Sequence, residues 1–236
     1  MKKIALIIIG ILLCAGNVFG AGSSATVISD TGGTLPHGSR IITALFVADD
    51  TTGVFPDLTL NAGGTTSGMY TGITGWKLFK VKIFGKHDVT HDGSANAAVL
   101  TDTSGGFNFV PASTLIGRTL TNSTDGSSGT ISAVTNSTIT STLAGGTDND
   151  WDVGDVGLWG VEPTTNSEIY VFMDGDDILK GNGTNAVDND TNNEVTPYVG
   201  SLPASITITN DLVINITQEA PATNSAVVVV QFELYK

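Results

Sequence analysis

The stretch Trp76-Lys-Leu-Phe-Lys-Val-Lys-Ile-Phe84 changes character at nearly every step. Phe79, Val81 and Ile83 share one face of an extended chain, and Lys80 and Lys82 fall in register with Leu78 and Phe84 on the other. Side chains alternate between the faces of a strand, so this period of two predicts a half-buried β-strand. The lysines also discourage edge-to-edge pairing, which makes them gatekeepers and not a binding patch. Runs of the same kind lie on both sides. Upstream are Ile41, Ile42, Ala44, Leu45, Phe46 and Val47, closed by Asp49, Asp50 and Gly53, and then Leu58 and Leu60 among threonines. Downstream of Pro163 come Ile169 to Phe172, then Ile206 and Ile208, then Leu212 to Ile216, and finally Val227 to Val230 with Phe232 and Leu234. No segment sustains a period of 3.6 residues. The predicted class is all-β: an antiparallel β-sandwich of Greek-key or jelly-roll type, because stacked sheets bury such alternating faces.

Between residues 87 and 160 the texture shifts to short threonine-rich runs punctuated by Asp92-Gly93, Gly105-Gly106, Asp125-Gly126 and Gly145-Gly146, which are hairpin signals. The clearest predicted hairpin joins Thr130–Val134 to Thr138–Leu143, with Ile131, Val134, Ile139 and Leu143 on its apolar face. Trp151 and Trp159 are the plugs for a small core. Strands of one style flank a differently composed segment, so the expected organisation is a sandwich scaffold over 40–86 plus 161–236 interrupted by an inserted hairpin-rich module over 87–160. Residues 21–39, rich in Gly, Ser and Thr, are expected to be a flexible leader or one loose edge strand, with order beginning near Arg40.

The amino terminus pairs Lys2 and Lys3 with an apolar run from Ile4 to Ala15 and ends in Val18-Phe-Gly20 before Ala21. That is the pattern of a secretory signal over residues 1–20, and it is too short for a membrane span of about 20 apolar residues. The expected product is secreted, with no membrane attachment after cleavage. A lipoprotein signal ending at Cys14 is the rival, against which stands Leu13 where a small residue is needed. Cleavage after Gly20 removes the single cysteine, Cys14, so the mature chain has no disulfide and its stability comes from burial.

The formal net charge is -13, and charged residues make up only 14% of the chain. A polyphosphate backbone would be repelled, which argues against nucleic acid as a partner. Chemistry-bearing motifs are scarce. The chain lacks a Gly-x-Ser-x-Gly elbow, a phosphate-binding Gly-x-x-x-x-Gly-Lys loop and a His-Glu-x-x-His pattern. Acidic pairs leave a glycoside hydrolase or lyase open as a third class of function.

Two metal candidates remain. His87 and His91, four apart around Asp88 and Asp92, could share a strand face and ligate a metal with a carboxylate. The stronger one is an acidic loop in which Asp174, Asp176 and Asp177, then Asp188, Asp190, Asn192 and Glu194, offer hard oxygens at alternate positions, as calcium prefers. It is not an EF-hand, since Asn193 and Val199 stand where that loop needs Gly and Glu. The competing reading is a set of Asx turns capped by their own side chains.

Gly53-Val-Phe-Pro-Asp-Leu-Thr-Leu60, Ile169-Tyr-Val-Phe-Met-Asp174-Gly-Asp-Asp-Ile-Leu-Lys-Gly181, Val195-Thr-Pro197 and the closing Val/Ile strands resemble a family of small tailed-phage virion structural proteins. The Asp-Gly-x-Asp-Ile/Leu turn of that family is present, and its Tyr-Asp step is not. His91 to Asp102, Leu115-Ile-Gly-Arg118 and Thr124 through Asp155 resemble a recurrent β module of phage and environmental surface proteins. Together the resemblances imply a non-enzymatic building block, a capsid-decorating or tail-associated component or a surface-assembly protein, whose partners are copies of itself or a larger particle. The alternative expectation is a carbohydrate- or receptor-binding surface module that uses calcium.

Overall fold

A computed structural model describes residues 23–35, 38–63, 72–104, 112–189, 191–199, 202–218 and 225–236. The signal segment with Cys14, as well as His37 and Asp190, lies outside the described residues.

The protein is essentially all-β. The first sheet runs β1 (Ser24–Asp30), β2 (Arg40–Val47), β18 (Val227–Tyr235), β4 (Lys77–Phe84) and β13 (Asn192–Val195), with β16 (Ile206–Thr207) also pairing β4. The second runs β12 (Asp176–Asp177), β11 (Glu168–Met173), β17 (Leu212–Thr217) and β3 (Leu58–Leu60). Ile42, Ala44, Phe46, Leu78, Val81, Ile83, Val228, Val230 and Phe232 from the first sheet meet Leu60, Ile169, Val171, Leu212, Ile214 and Ile216 from the second in one core. This is a sandwich, and every strand pair in it is antiparallel.

A third sheet is drawn wholly from residues 88–158. Its order is β5 (Asp88–Thr90), β10 (Val156–Leu158), β7 (Thr119–Asn122), β8 (Ser128–Val134), β9 (Thr138–Ser141) and β6 (Val99–Thr101), with one helical turn, α1 (Ala112–Leu115), beside β8. The predicted hairpin is β8–β9. Trp151 and Trp159 are 0% and 1% exposed, inside a second core that also holds Leu100, Leu120, Ile131 and Ile139. Leu45, Val47, Phe84, Val227 and Val229 belong to that second core too. The outward face of the first sheet is therefore divided: one end is covered by the hairpin sheet, and the other continues as Thr43, Gln231 and Lys82, then Glu233 and Lys80. That division explains the unbroken run Val227–Val230. Both faces of the strand are buried there, each valine contributing about 1.5–3 kcal/mol, whereas Gln231-Phe232-Glu233-Leu234 alternates where only one face is covered.

Two expectations change. Leu78, expected to share a face with the lysines, is fully buried with Val81 and Ile83, while Phe79 is 47% exposed. The cause is a β-bulge. Glu233 pairs Lys80 but Leu234 pairs Leu78, so Phe79 is the extra residue and the faces exchange on either side of it. Phe79 then packs edge-on against Tyr235 at 6.0 Å. Order also begins before Arg40: of the two expectations for this stretch, a flexible leader or one loose edge strand, Ser24–Asp30 forms the second, an edge strand on β2. Asp30 grips Arg40 through both carboxylate oxygens at 2.7 and 2.9 Å, and the guanidinium, 1% exposed, lies 5.2 Å from the Trp76 ring centre.

A last pair, β14 (Tyr198–Val199) and β15 (Leu202–Pro203), joins none of the three sheets among the described residues. No helix among the described residues is long and apolar enough to cross a membrane, which says nothing about strand-built spans.

Candidate functional site

The closest gathering of potential metal ligands lies at the tip of the hairpin sheet, beyond the Val156 end of β10. Among the described residues, Asp148, Asp150 and Asp152 are the only His, Cys, Asp or Glu trio whose ligand atoms fall within 4.8 Å of one another. Local chemistry builds this loop. Trp151 is anchored in the core and exchanges backbone hydrogen bonds with Ala97 at 2.8 and 2.9 Å, so its neighbours Asp150 and Asp152 are thrown to the opposite side of the extended chain. Gly154, at φ +97°, turns the chain back, and Asp155 Oδ2 accepts from the Asp152 N–H at 2.9 Å and from the buried Asn122 amide at 2.8 Å. Gly146 has no Cβ; one built there would stand 2.8 Å from Asp125 Oδ1 and 2.5 Å from the Ser127 nitrogen. Only glycine lets the loop lie on that turn, near enough for the Asp125 charge to act on Asp150. The Asp150 carboxyl is held above its ordinary pKa, first by desolvation and then by Asp148, Asp152, Asp125 and Asp155. Such a set of carboxylate oxygens suits a hard cation such as calcium. The alternate spacing Asp148-x-Asp150-x-Asp152 was visible in the sequence, as the same signal that drew attention to the later loop.

That later loop is arranged differently. Asp174, in left-handed backbone at φ +55°, accepts from the Asn210 amide at 2.7 and 2.8 Å. Asp177 accepts from the backbone of Leu179 and Gly181 at 3.0 and 2.9 Å, capping a turn. Asp176 is exposed on β12, and Asp188 is half-buried beside Gly85, whose built Cβ would meet its carbonyl at 2.2 Å. Asn192 and Glu194 alternate because both stand on β13. Glu194 pairs with Lys80 at 2.7 Å and Lys82 at 3.6 Å, and the Lys80 hydrogen bond draws its carboxyl below the usual range. With Asp190 outside the described residues, the described Asp and Glu members of the set bring no three carboxylate oxygens within 4.8 Å of one another.

The two histidines have separate surroundings. His91, 1% exposed, accepts from the Thr101 N–H at Nδ1 (2.9 Å) and faces the Ser94 carbonyl from Nε2 (3.0 Å), a network that assigns the proton to Nε2. His87 is fully buried, with its ring 3.9 Å from that of Trp159. Burial drives its pKa down to about 3; the Arg118 charge pushes the same way, and the backbone of Gly160 and Val227 opposes it without offsetting it. Among the described residues neither of these histidines joins a His, Cys, Asp or Glu trio.

Two clefts, of about 390 and 320 Å³, open on the surface. Asn166, Glu168, Asn185, Thr217 and Gln218 line the first, and Phe79, Glu233 and Tyr235 contribute to the second. Among the described lining residues each offers one carboxylate: Glu168, bonded to the Tyr170 hydroxyl, and Glu233, paired with Lys82 at 2.6 Å.

Compared with known proteins, the chain matches no family model and no curated protein. Its functional reading rests on its own residues.

Proposed function

We propose that this chain is a non-enzymatic structural protein, exported and built into a larger assembly such as a virion or a cell-surface layer. The observation that carries the reading is the β14–β15 hairpin, which holds Val199 and Leu202 out at 59% and 71% exposure. Adjacent apolar side chains held out on a short hairpin favour a protein partner, because water is a poor neighbour for them. The resemblance of Ile169–Gly181 to virion proteins supports the same reading. Light scattering and sedimentation of the purified chain test it: the expected result is concentration-dependent self-association that Val199→Asp with Leu202→Asp abolishes. A strictly monomeric chain, absent from particle and cell-surface fractions, overturns it.

A second reading, a calcium-dependent glycan- or receptor-binding module, draws on the Asp148, Asp150 and Asp152 oxygens. Calorimetric calcium titration checks it, with heat of binding expected for the unmodified chain and lost in Asp150→Asn; no heat at millimolar calcium removes it.

A further inference from the structure

The chain leaves the sandwich after Phe84 and returns at Val161, which bridges to Ala226, so both crossings to the hairpin sheet lie together. His87 occupies that junction. Its backbone N–H donates to Glu162 Oε1 at 2.8 Å, and its ring is sealed between Trp159 of the second core and the backbone of Gly160 and Val227. Neither ring nitrogen reaches a partner with hydrogen-bond geometry. The charged groups around it are Arg118, which enters from the start of β7, Glu162 on the returning strand, and the Lys86–Asp88 ion pair (3.2 Å) on its own segment; β18 presents only backbone and Val227. Glu162 is held above its ordinary pKa by desolvation and by Asp88, against the hydrogen bond from the His87 backbone, and its contact is with that backbone N–H and not with the ring.

We propose that the His87–Trp159 contact is an acid-released latch: protonation of His87 undocks the hairpin sheet from the outer face of the sandwich while the sandwich stays folded. A buried site that already faces a guanidinium cannot accept a second positive charge without a carboxylate against it, and opening the junction supplies water. The sandwich lacks such a group, since its described residues contain no histidine and its buried ionic pair, Asp30 with Arg40, lies at the opposite end of the first sheet.

The sign follows from proton linkage. The docked form holds His87 neutral, with a pKa of about 3, and the released form titrates near the ordinary value of about 6.5. Docking is at full strength above pH 6.5 and is lost as pH falls through the window down to about 3. Each pH unit lowers the docked-to-released ratio about tenfold, or about a hundredfold by pH 4.5.

Hydrogen exchange of the full chain, corrected for intrinsic rates and read by mass spectrometry between pH 7.5 and 4, tests the latch. Peptides from 88–158 are expected to lose protection below pH 6 while those from β2, β17 and β18 keep it. His87→Phe, which preserves the ring against Trp159, is expected to flatten that response, whereas His91→Asn leaves the pH dependence in place. If His87→Phe does not fold, ring-labelled histidine NMR on the unmodified chain decides: the His87 ring must stay neutral until the 88–158 amides open. A pH-independent 88–158 region, simultaneous loosening of both sheets, or an unchanged acid response in His87→Phe overturns the proposal.

Discussion

The two cores are built from different materials. The sandwich core is almost purely aliphatic and aromatic, and the buried polar side chains of the sandwich segments, inside or outside that core, are limited to Arg40, Thr43 and Ser167 among the described residues. The hairpin core sits among His87, His91, Asp102, Asn122, Ser127, Ser141 and Asp155, all buried. Strand length accounts for the contrast. β2, β4 and β18 run eight, eight and nine residues, long enough to present rows of Ile, Val and Phe, whereas β5, β6 and β10 have three residues each. Strands that short cannot enclose a core by aliphatic burial alone. Two tryptophans fill the volume, and His91, Asn122 and Asp155 bond the loop backbone that lies inside. Dependence also runs one way: Leu45, Val47, Val227 and Val229 make the sandwich the floor of the hairpin core, but no hairpin strand contributes to the sandwich core.

Removing the tryptophan plug should expose this asymmetry most strongly. Trp151→Ala is expected to cost about 3–5 kcal/mol, and thermal unfolding should split into an early loss of the hairpin sheet and an unchanged sandwich transition. Phe232→Ala, a deletion of similar size in the sandwich, should lower both transitions together. Equal effects of the two on both regions would mean a single cooperative unit. A smaller loss is expected from Asn122→Ala, which strips the Asp155 carboxylate and the Asp150 carbonyl of a buried donor. About 1–3 kcal/mol should disappear from hairpin stability alone, measured by urea unfolding followed through Trp151 and Trp159 fluorescence. The smallest effect belongs to Lys82→Ala on the open face of the sandwich, where the ion pairs with Glu233 and Glu194 are partly exposed. A change of about 0.2–1 kcal/mol, shrinking further in high salt, is expected in the same assay.

The longer sandwich strands β2, β4, β11, β17 and β18 were legible because each carries six or more residues of strand-type apolar patterning that outweighs any helical alternative. The β8–β9 hairpin and the two tryptophans were legible for similar local reasons. The bulge at Phe79 was not, since no glycine or proline marks it; it arises from matching Leu234 to Leu78, 156 positions away in the chain. The acidic loops show the same limit at the candidate site. Alternating oxygens occur both at Asp148–Asp152 and at Asn192–Glu194, but the first set converges on a looped chain pinned by Trp151, and the second stands on a strand where Lys80 and Lys82 claim Glu194.

The residues by themselves determined an acidic, strand-built chain with two styles of core, because alternation, turn residues and charge act over a few positions. Which face of β4 points inward, how the valines of β18 come to be covered on both sides, which carboxylates meet, and which histidine is shut away from water were decided by tertiary pairing. Each of those depends on what lies across a sheet or beneath a loop, and a neighbour in space leaves no mark on the neighbouring residues in sequence.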